Sequence, residues 1–145
     1  MASQYVALLR GINVGGKNLV KMADLRAALE SRGFADVATY IASGNVLFRV
    51  PRQRREELAA RIESELIGRF GNELKVVLLT EAQLKAVVEG APRGFSGDEH
   101  LWDVVFVRKP LTVKKAFGEV EIREGVPEYK NMTIRSWSTR RSCWP

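Results

Sequence analysis

The sequence predicts an α+β fold, a ferredoxin-like β-α-β-β-α-β unit followed by an incomplete second α/β unit packed on it. Three observations carry that expectation. Four apolar runs of strand length fall at residues 4–10, 37–42, 45–50 and 74–79. Two stretches, residues 22–32 and 52–70, place apolar side chains at helical spacing. Turn and stop residues (Gly11, Gly33, Ser43-Gly44, Pro51) fall between them. The expected division is a ferredoxin-like unit over residues 1–80 and a second, incomplete α+β unit over 81–145.

Residues 4–10 read as a strand ended by Gly11, apolar on both faces through Val6, Ala7, Leu8 and Leu9. The first helix carries Met22, Leu25, Ala28 and Leu29 on one side. Gly33 stands where a left-handed C-terminal cap belongs, with Phe34 able to fold back on Leu29. Residues 37–42 and 45–50 flank Ser43-Gly44 as a hairpin, and Pro51 stops the second strand. The longest helix, 52–70, spaces Leu58, Ile62, Leu66 and Phe70 four apart; Glu57–Arg61 and Glu65–Arg69 are paired on its outer face. Residues 74–79 close the unit as a strand.

Beyond it, Thr80-Glu81-Ala82-Gln83 is a capping-box start for a short helix closed by Gly90 and Pro92. A polar loop fills 91–99 and a strand runs from 101 to 107. A helical turn at 114–117 and short strands at 119–123 and 132–137 follow. In the first unit, this element order places the loop after strand one and the hairpin turn at the same edge of the sheet. Residues 11–18 and 43–45 are therefore expected to be neighbours in space.

Composition narrows the function classes. The chain has 145 residues, 46% of them hydrophobic and 28% charged, as in ordinary globular domains. Its net charge of +6 favours an anionic partner: nucleic acid, a phosphorylated metabolite or a membrane surface. A single cysteine, Cys143, excludes an internal disulfide and a thiolate metal cluster. No apolar run reaches the roughly 20 residues of a membrane span, and no signal peptide is evident, so a cytoplasmic location is expected.

The sharpest chemical signal is Arg10-Gly11-Ile12-Asn13-Val14-Gly15-Gly16-Lys17-Asn18. Glycines and a lysine at a strand end allow backbone N–H groups to converge on an anion. The pattern differs from a phosphate-binding P-loop at its last position, where Asn18 replaces the hydroxyl residue that ligates Mg²⁺. Leu19-Val20-Lys21 also intervene before the helix, so the helix N-terminus does not follow the Gly-Lys pair. The expected ligand-binding residues are Arg10, Asn13, Gly15, Gly16, Lys17, Asn18, Ser43 and Asn45, mixing charge with neutral donors. The same residues read equally as turn formers.

No catalytic residue is assigned, and neither a metal nor a cofactor is implied. His100, with Asp98, Glu99 and Asp103 nearby, matches no established metal spacing and has no nucleophile tied to it. Tyr5 and Phe48 are the aromatic residues on strands one and three, and the pattern of a base-stacking RNA module is missing around them.

The segments 7–18 (Ala-Leu-Leu-Arg-Gly-Ile-Asn-Val-Gly-Gly-Lys-Asn), 22–25 (Met-Ala-Asp-Leu) and Thr39-Tyr40-Ile41-x-Ser43-Gly44-Asn45-Val46 resemble the bacterial family called domain of unknown function 1697. The resemblance spans about residues 5–110. It implies a pair of ferredoxin-like α+β units packed together and no established activity. The family's C-terminal pattern resembles Arg-Asn-Trp-Asn-Thr followed by an apolar helix; this chain has Thr133-Ile134-Arg135-Ser136-Trp137-Ser138-Thr139 and then Arg140-Arg141-Ser142-Cys143-Trp144-Pro145. The stretch from Ile122 to Lys130 is also shorter than the family pattern. Both departures fit an internal deletion and an altered reading frame, which would leave apolar surface uncovered and promote self-association. By the same resemblance Arg135 and Trp137 are additional candidates at the anion loop.

The functional expectation is a small binding module for a phosphate- or carboxylate-bearing ligand at the Gly-rich loop. Non-specific nucleic-acid binding, with affinity falling steeply with salt, is the first alternative. An enzyme of unrecognised chemistry is the second.

Overall fold

The computed structural model describes residues 1–71, 73–91, 101–108, 110–119, 130–131 and 135–140. The chain divides into two compact units, Met1–Lys85 and Ala86–Pro145.

The first unit contains β1 (Ala2–Arg10), α1 (Met22–Glu30), β2 (Ala35–Tyr40), β3 (Asn45–Pro51), α2 (Arg55–Phe70) and β4 (Lys75–Thr80). The four strands form one sheet in the order β2-β3-β1-β4, and every neighbouring pair is antiparallel. Strand β1 is central, pairing Tyr5 with Phe48 on one side and Tyr5 with Thr80 on the other. The next element, α3, spans Glu81–Glu89.

The end of α1 and the start of α3 follow local rules. After α1, Phe34 N donates to Leu29 O and Gly33 N to Glu30 O, with Gly33 at φ 82. That is the double bond of a Schellman cap. At α3, Gln83 N donates to Thr80 Oγ1 while Thr80 N donates to Gln83 Oε1, the reciprocal pair of a capping box. Helix α2 begins at Arg55 rather than at residue 52 and ends on Gly71 in the left-handed conformation.

The core lies between the helices and one face of the sheet, where Tyr5, Ala7 and Leu9 of β1 join Leu25 and Leu29 of α1 and Leu58, Ile62 and Leu66 of α2. Phe48 stacks on Tyr5 and meets Phe34 edge-on, with centroids 5.9 and 4.9 Å apart. Tyr5 and Phe48 are 2% and 1% exposed, so neither offers a face to a nucleic-acid base. On the opposite face Val6 and Leu79 are also buried.

Two charge pairs expected along α2 are replaced. Glu65 meets Arg32 at 2.8 Å and Glu57 meets Arg54 at 3.4 Å. Arg61 instead donates to Arg32 O at 2.7 Å and lies 5.0 Å over the Phe34 ring. A carbonyl acceptor and an aromatic face together hold the guanidinium better than an exposed carboxylate one turn away. A buried carboxylate that the helical spacing does not reveal, Glu63, accepts from Val76 N of β4 at 2.8 Å.

The second unit contains β5 (Leu101–Phe106), α4 (Val113–Gly118), β6 (Lys130–Asn131) and β7 (Arg135–Arg140). Its three strands run in the order β5-β7-β6, all antiparallel. The strand expected at 132–137 is displaced to Arg135–Arg140, and that expected at 101–107 stops at Phe106. The strand expected over 119–123 falls, beyond Glu119, outside the described residues, as do His100 and Cys143.

Candidate functional site

The Gly-rich segment is a small hairpin standing between β1 and α1. Asn13 N donates to Asn18 O and Lys17 N donates to Val14 O, both at 3.1 Å, leaving Gly15 and Gly16 as the two-residue turn. Their φ values, 58 and 74, give the positive values at both central positions that a type I′ turn requires. Gly-Gly at this point thus has a complete conformational explanation.

Asn13 is the hub of the loop. Its Nδ2 donates to Val20 O at 3.0 Å and to Ala42 O at 2.7 Å, and its Oδ1 accepts from Val20 N at 2.8 Å. Both carboxamide N–H groups are therefore taken. One residue closes the base of the loop and ties it to the β2–β3 connection. Asn18 Nδ2 donates to Gly11 O at 2.8 Å, fastening the second leg of the hairpin to the first. Asn13 and Asn18 both sit at φ 52, a region asparagine tolerates better than most residues.

The β2–β3 connection spans residues 41–44, so the strand expected to reach Ala42 ends at Tyr40. The chain breaks there because Ala42 turns its carbonyl to Asn13 and Ile41 adopts φ 52. Leu9 N donates to Gly44 O at 3.1 Å. A Cβ on Gly44 would lie 2.6 Å from Ile12 Cδ1 and 3.0 Å from Leu9 Cβ, so only glycine lets the connection lie against the loop. Asn45 Nδ2 donates to Ser43 Oγ at 3.0 Å. Gly11, at φ 99, would direct a Cβ to within 2.9 Å of the Glu73 carbonyl.

Eight expected site residues are thus gathered at one edge of the first sheet: Arg10 at the end of β1, Asn13, Gly15, Gly16, Lys17 and Asn18 on the loop, and Ser43 and Asn45 at the β2–β3 connection and the start of β3. The side chains of Asn13, Asn18, Ser43 and Asn45 bond within this frame. Arg10 and Lys17 are exposed and form no ion pair among the described residues. Arg135 and Trp137 are on β7 of the second unit, in register with Phe106 and Val104.

Three features of this edge escape the sequence reading. Val14, Leu19 and Ile41 are 68%, 75% and 60% exposed. Lys21 is exposed just before α1, with no side-chain cap bond at that helix start. Ile41 carries positive φ, which nothing in its residue type signals, because a β-branched residue beside Tyr40 reads as strand. Away from this edge, an open groove of about 700 Å³ between α1 and α2 is lined by Ser31, Arg32, Ser64, Glu65 and Arg69. The Arg32–Glu65 pair within it neutralises its charge in part. Among the described residues no three His, Cys, Asp or Glu side chains are grouped to hold a metal, and no helix is long and apolar enough to cross a membrane.

The family model described as "Protein of unknown function (DUF1697)" matches residues 2–136. The chain belongs to this family. The DUF1697 match includes the whole Gly-rich loop, the 41–44 connection and β5. A conserved bacterial protein from Streptococcus pneumoniae, SP0830, has a similar structure, with a TM-score of 0.79 at 28% identity. The similarity covers 99% of this chain and 79% of that protein. No curated protein matches the DUF1697 chain.

Proposed function

We propose that this DUF1697 chain is a binding module whose Gly11–Val20 loop takes a phosphate- or carboxylate-bearing ligand. The observation that carries this reading is an exposed cationic tip on a braced frame. Lys17 follows the Gly15-Gly16 turn directly, Arg10 stands at the base, and residues 10–23 contain no carboxylate. Arg10 and Lys17 supply charge, and the N–H groups of Gly15 and Gly16 supply directional donors. Asn13 and Asn18 hold the loop in shape, and Asn45 bonds Ser43 in the connection beside it, so that little ordering is left to binding. We read the first unit as ferredoxin-like from its element order and its β2-β3-β1-β4 sheet. That topology gathers the loop and the 41–44 connection at one edge.

The test is a titration with inorganic phosphate, citrate and nucleotides, following the backbone amides of Gly15, Gly16 and Lys17 by NMR. A saturating shift confined to this loop, lost in Lys17→Ala, is the expected result. At about 100 times Kd such a ligand also stabilises the fold by about 2.7 kcal/mol. Unmoved loop amides at every ligand concentration refute the reading. The salt slope separates this reading from nucleic-acid binding: few charges give a shallow slope, many phosphate contacts a steep one.

A further inference from the structure

We infer that the loop edge is a docking surface for an acidic protein segment that also carries apolar side chains. The inference rests on the anion reading of the loop and names the class of carboxylate-bearing partner.

The patch is assembled by the Asn13 carboxamide. Its three hydrogen bonds reach Val20 N, Val20 O and Ala42 O. Val14 adjoins Asn13, Leu19 adjoins Val20 and Ile41 adjoins Ala42, so each of these three exposed aliphatic residues is a chain neighbour of a residue that the Asn13 carboxamide joins. Lys17 and Lys21 lie within four and one residues of Asn13 and Val20, and no carboxylate occurs in residues 10–23 or 37–48. With Arg10, Lys17 and Lys21 set against the exposed Asp24 of α1, the edge is apolar and net cationic, which calls for carboxylates interspersed with apolar side chains.

Ile41 adds an independent reason. A β-branched residue at φ 52, 60% exposed, gains little burial in return for its strained backbone. Strain held at the rim of a surface patch is what a binding contact would retain.

The same edge suits other polyanions less well. Nucleic acid would leave the aliphatic side chains facing sugar and phosphate, and although Tyr40 is exposed beside Ile41, the aromatic residues Tyr5 and Phe48 of β1 and β3 are buried, so there is no row of stacking faces on these strands. Insertion into lipid would carry the Gly15-Gly16 turn, with its backbone N–H groups, into a medium without acceptors. A carboxylate-rich peptide satisfies those N–H groups and the lysines while covering Val14, Leu19 and Ile41.

The probe is a fluorescein-labelled peptide of alternating Glu and Leu, compared by polarisation with poly-glutamate of equal length, a short thymidine oligonucleotide and phosphatidylserine/phosphatidylcholine vesicles. The expected result is binding of the Glu/Leu peptide about tenfold tighter than poly-glutamate, lost about tenfold in Ile41→Asn, Leu19→Ser and Lys17→Ala. Each substituted residue is exposed, and the unfolding transition of every variant is recorded so that loss of fold is seen as such. Equal binding of poly-glutamate, sensitive to Lys17→Ala but not to Ile41→Asn, overturns the inference and leaves the anion site standing. Tighter binding of the oligonucleotide or the vesicles also overturns it, in favour of that partner. Peptide binding that needs Ile41 but not Lys17, or no binding by any of these probes, overturns the inference, while the anion reading stands or falls by the loop amides in the phosphate, citrate and nucleotide titration.

Discussion

Replacing Asn13 with alanine removes three hydrogen bonds at once, those to Val20 O, to Ala42 O and from Val20 N. At about 1 kcal/mol each they contribute about 3 kcal/mol. Alanine at φ 52 adds about 1 kcal/mol of backbone strain. Asn18→Ala supplies an internal control, because Asn18 has the same φ but makes one side-chain bond, to Gly11 O. The strain contribution cancels between the two variants, and Asn13→Ala is expected to cost about 2 kcal/mol more than Asn18→Ala. Urea unfolding followed by far-UV circular dichroism measures the difference, about 1 M in midpoint for m near 2 kcal/mol/M. Tryptophan emission does not serve here, since Trp102, Trp137 and Trp144 all lie outside residues 1–85. Amide exchange gives a second reading: Val20 N–H loses protection in Asn13→Ala and keeps it in Asn18→Ala. Equal costs for the two variants, with Val20 protected in both, would refute the assignment of Asn13 as the hub.

The two kinds of glycine at this edge separate by substitution. Gly44→Ala brings a Cβ to 2.6 Å from Ile12 Cδ1 and is expected to cost about 2–3 kcal/mol, whereas Gly16→Ala meets nothing within 4 Å and costs about 1 kcal/mol from its positive φ alone; thermal unfolding of both compares them. Ile41→Asn relieves positive φ at an exposed position and should raise stability by about 1 kcal/mol in the same assay; a loss would show that Ile41 packs against the fold. Glu63→Ala removes a carboxylate acceptor from Val76 N and is expected to cost about 2–3 kcal/mol. Glu63→Gln keeps an acceptor and should cost less than half as much, so equal losses in urea unfolding would exclude that bond as the cause.

What was legible in the sequence was what local chemistry dictates. Gly33 and Phe34 announced the Schellman end of α1, and Thr80 with Gln83 announced the start of α3, because each cap is complete within a few residues. Even the meeting of the loop with the 41–44 connection followed from strand order, which fixes the edge at which each turn emerges. Side-chain duty was another matter. An asparagine that bonds a ligand and one that bonds a carbonyl 29 residues away look alike in a sequence, and Asn13 does the latter. Ile41 misled because its residue type favours the strand that its backbone has already left. Arg61 misled because its partners, Arg32 O and the Phe34 ring, come from another element.

The near-match of the loop to a nucleotide-binding P-loop illustrates how the same residue types serve a different geometry. In that motif the glycines lead straight into a helix, and the first-turn N–H groups point at the phosphates. Here Gly15 and Gly16 close a hairpin whose legs are bonded to each other, and α1 starts at Met22 after Val20 has been drawn to Asn13. Lys17 therefore stands at the side of a turn instead of over a helix N-terminus. The sheet behind it is antiparallel throughout, so no crevice opens at the ends of parallel strands. A loop built this way presents charge outward on a stiff stalk and encloses nothing. Recognition by contact at a surface suits that shape better than engulfment of a nucleotide, which is why exposed aliphatic neighbours of the lysine weigh more in its reading than the glycines do.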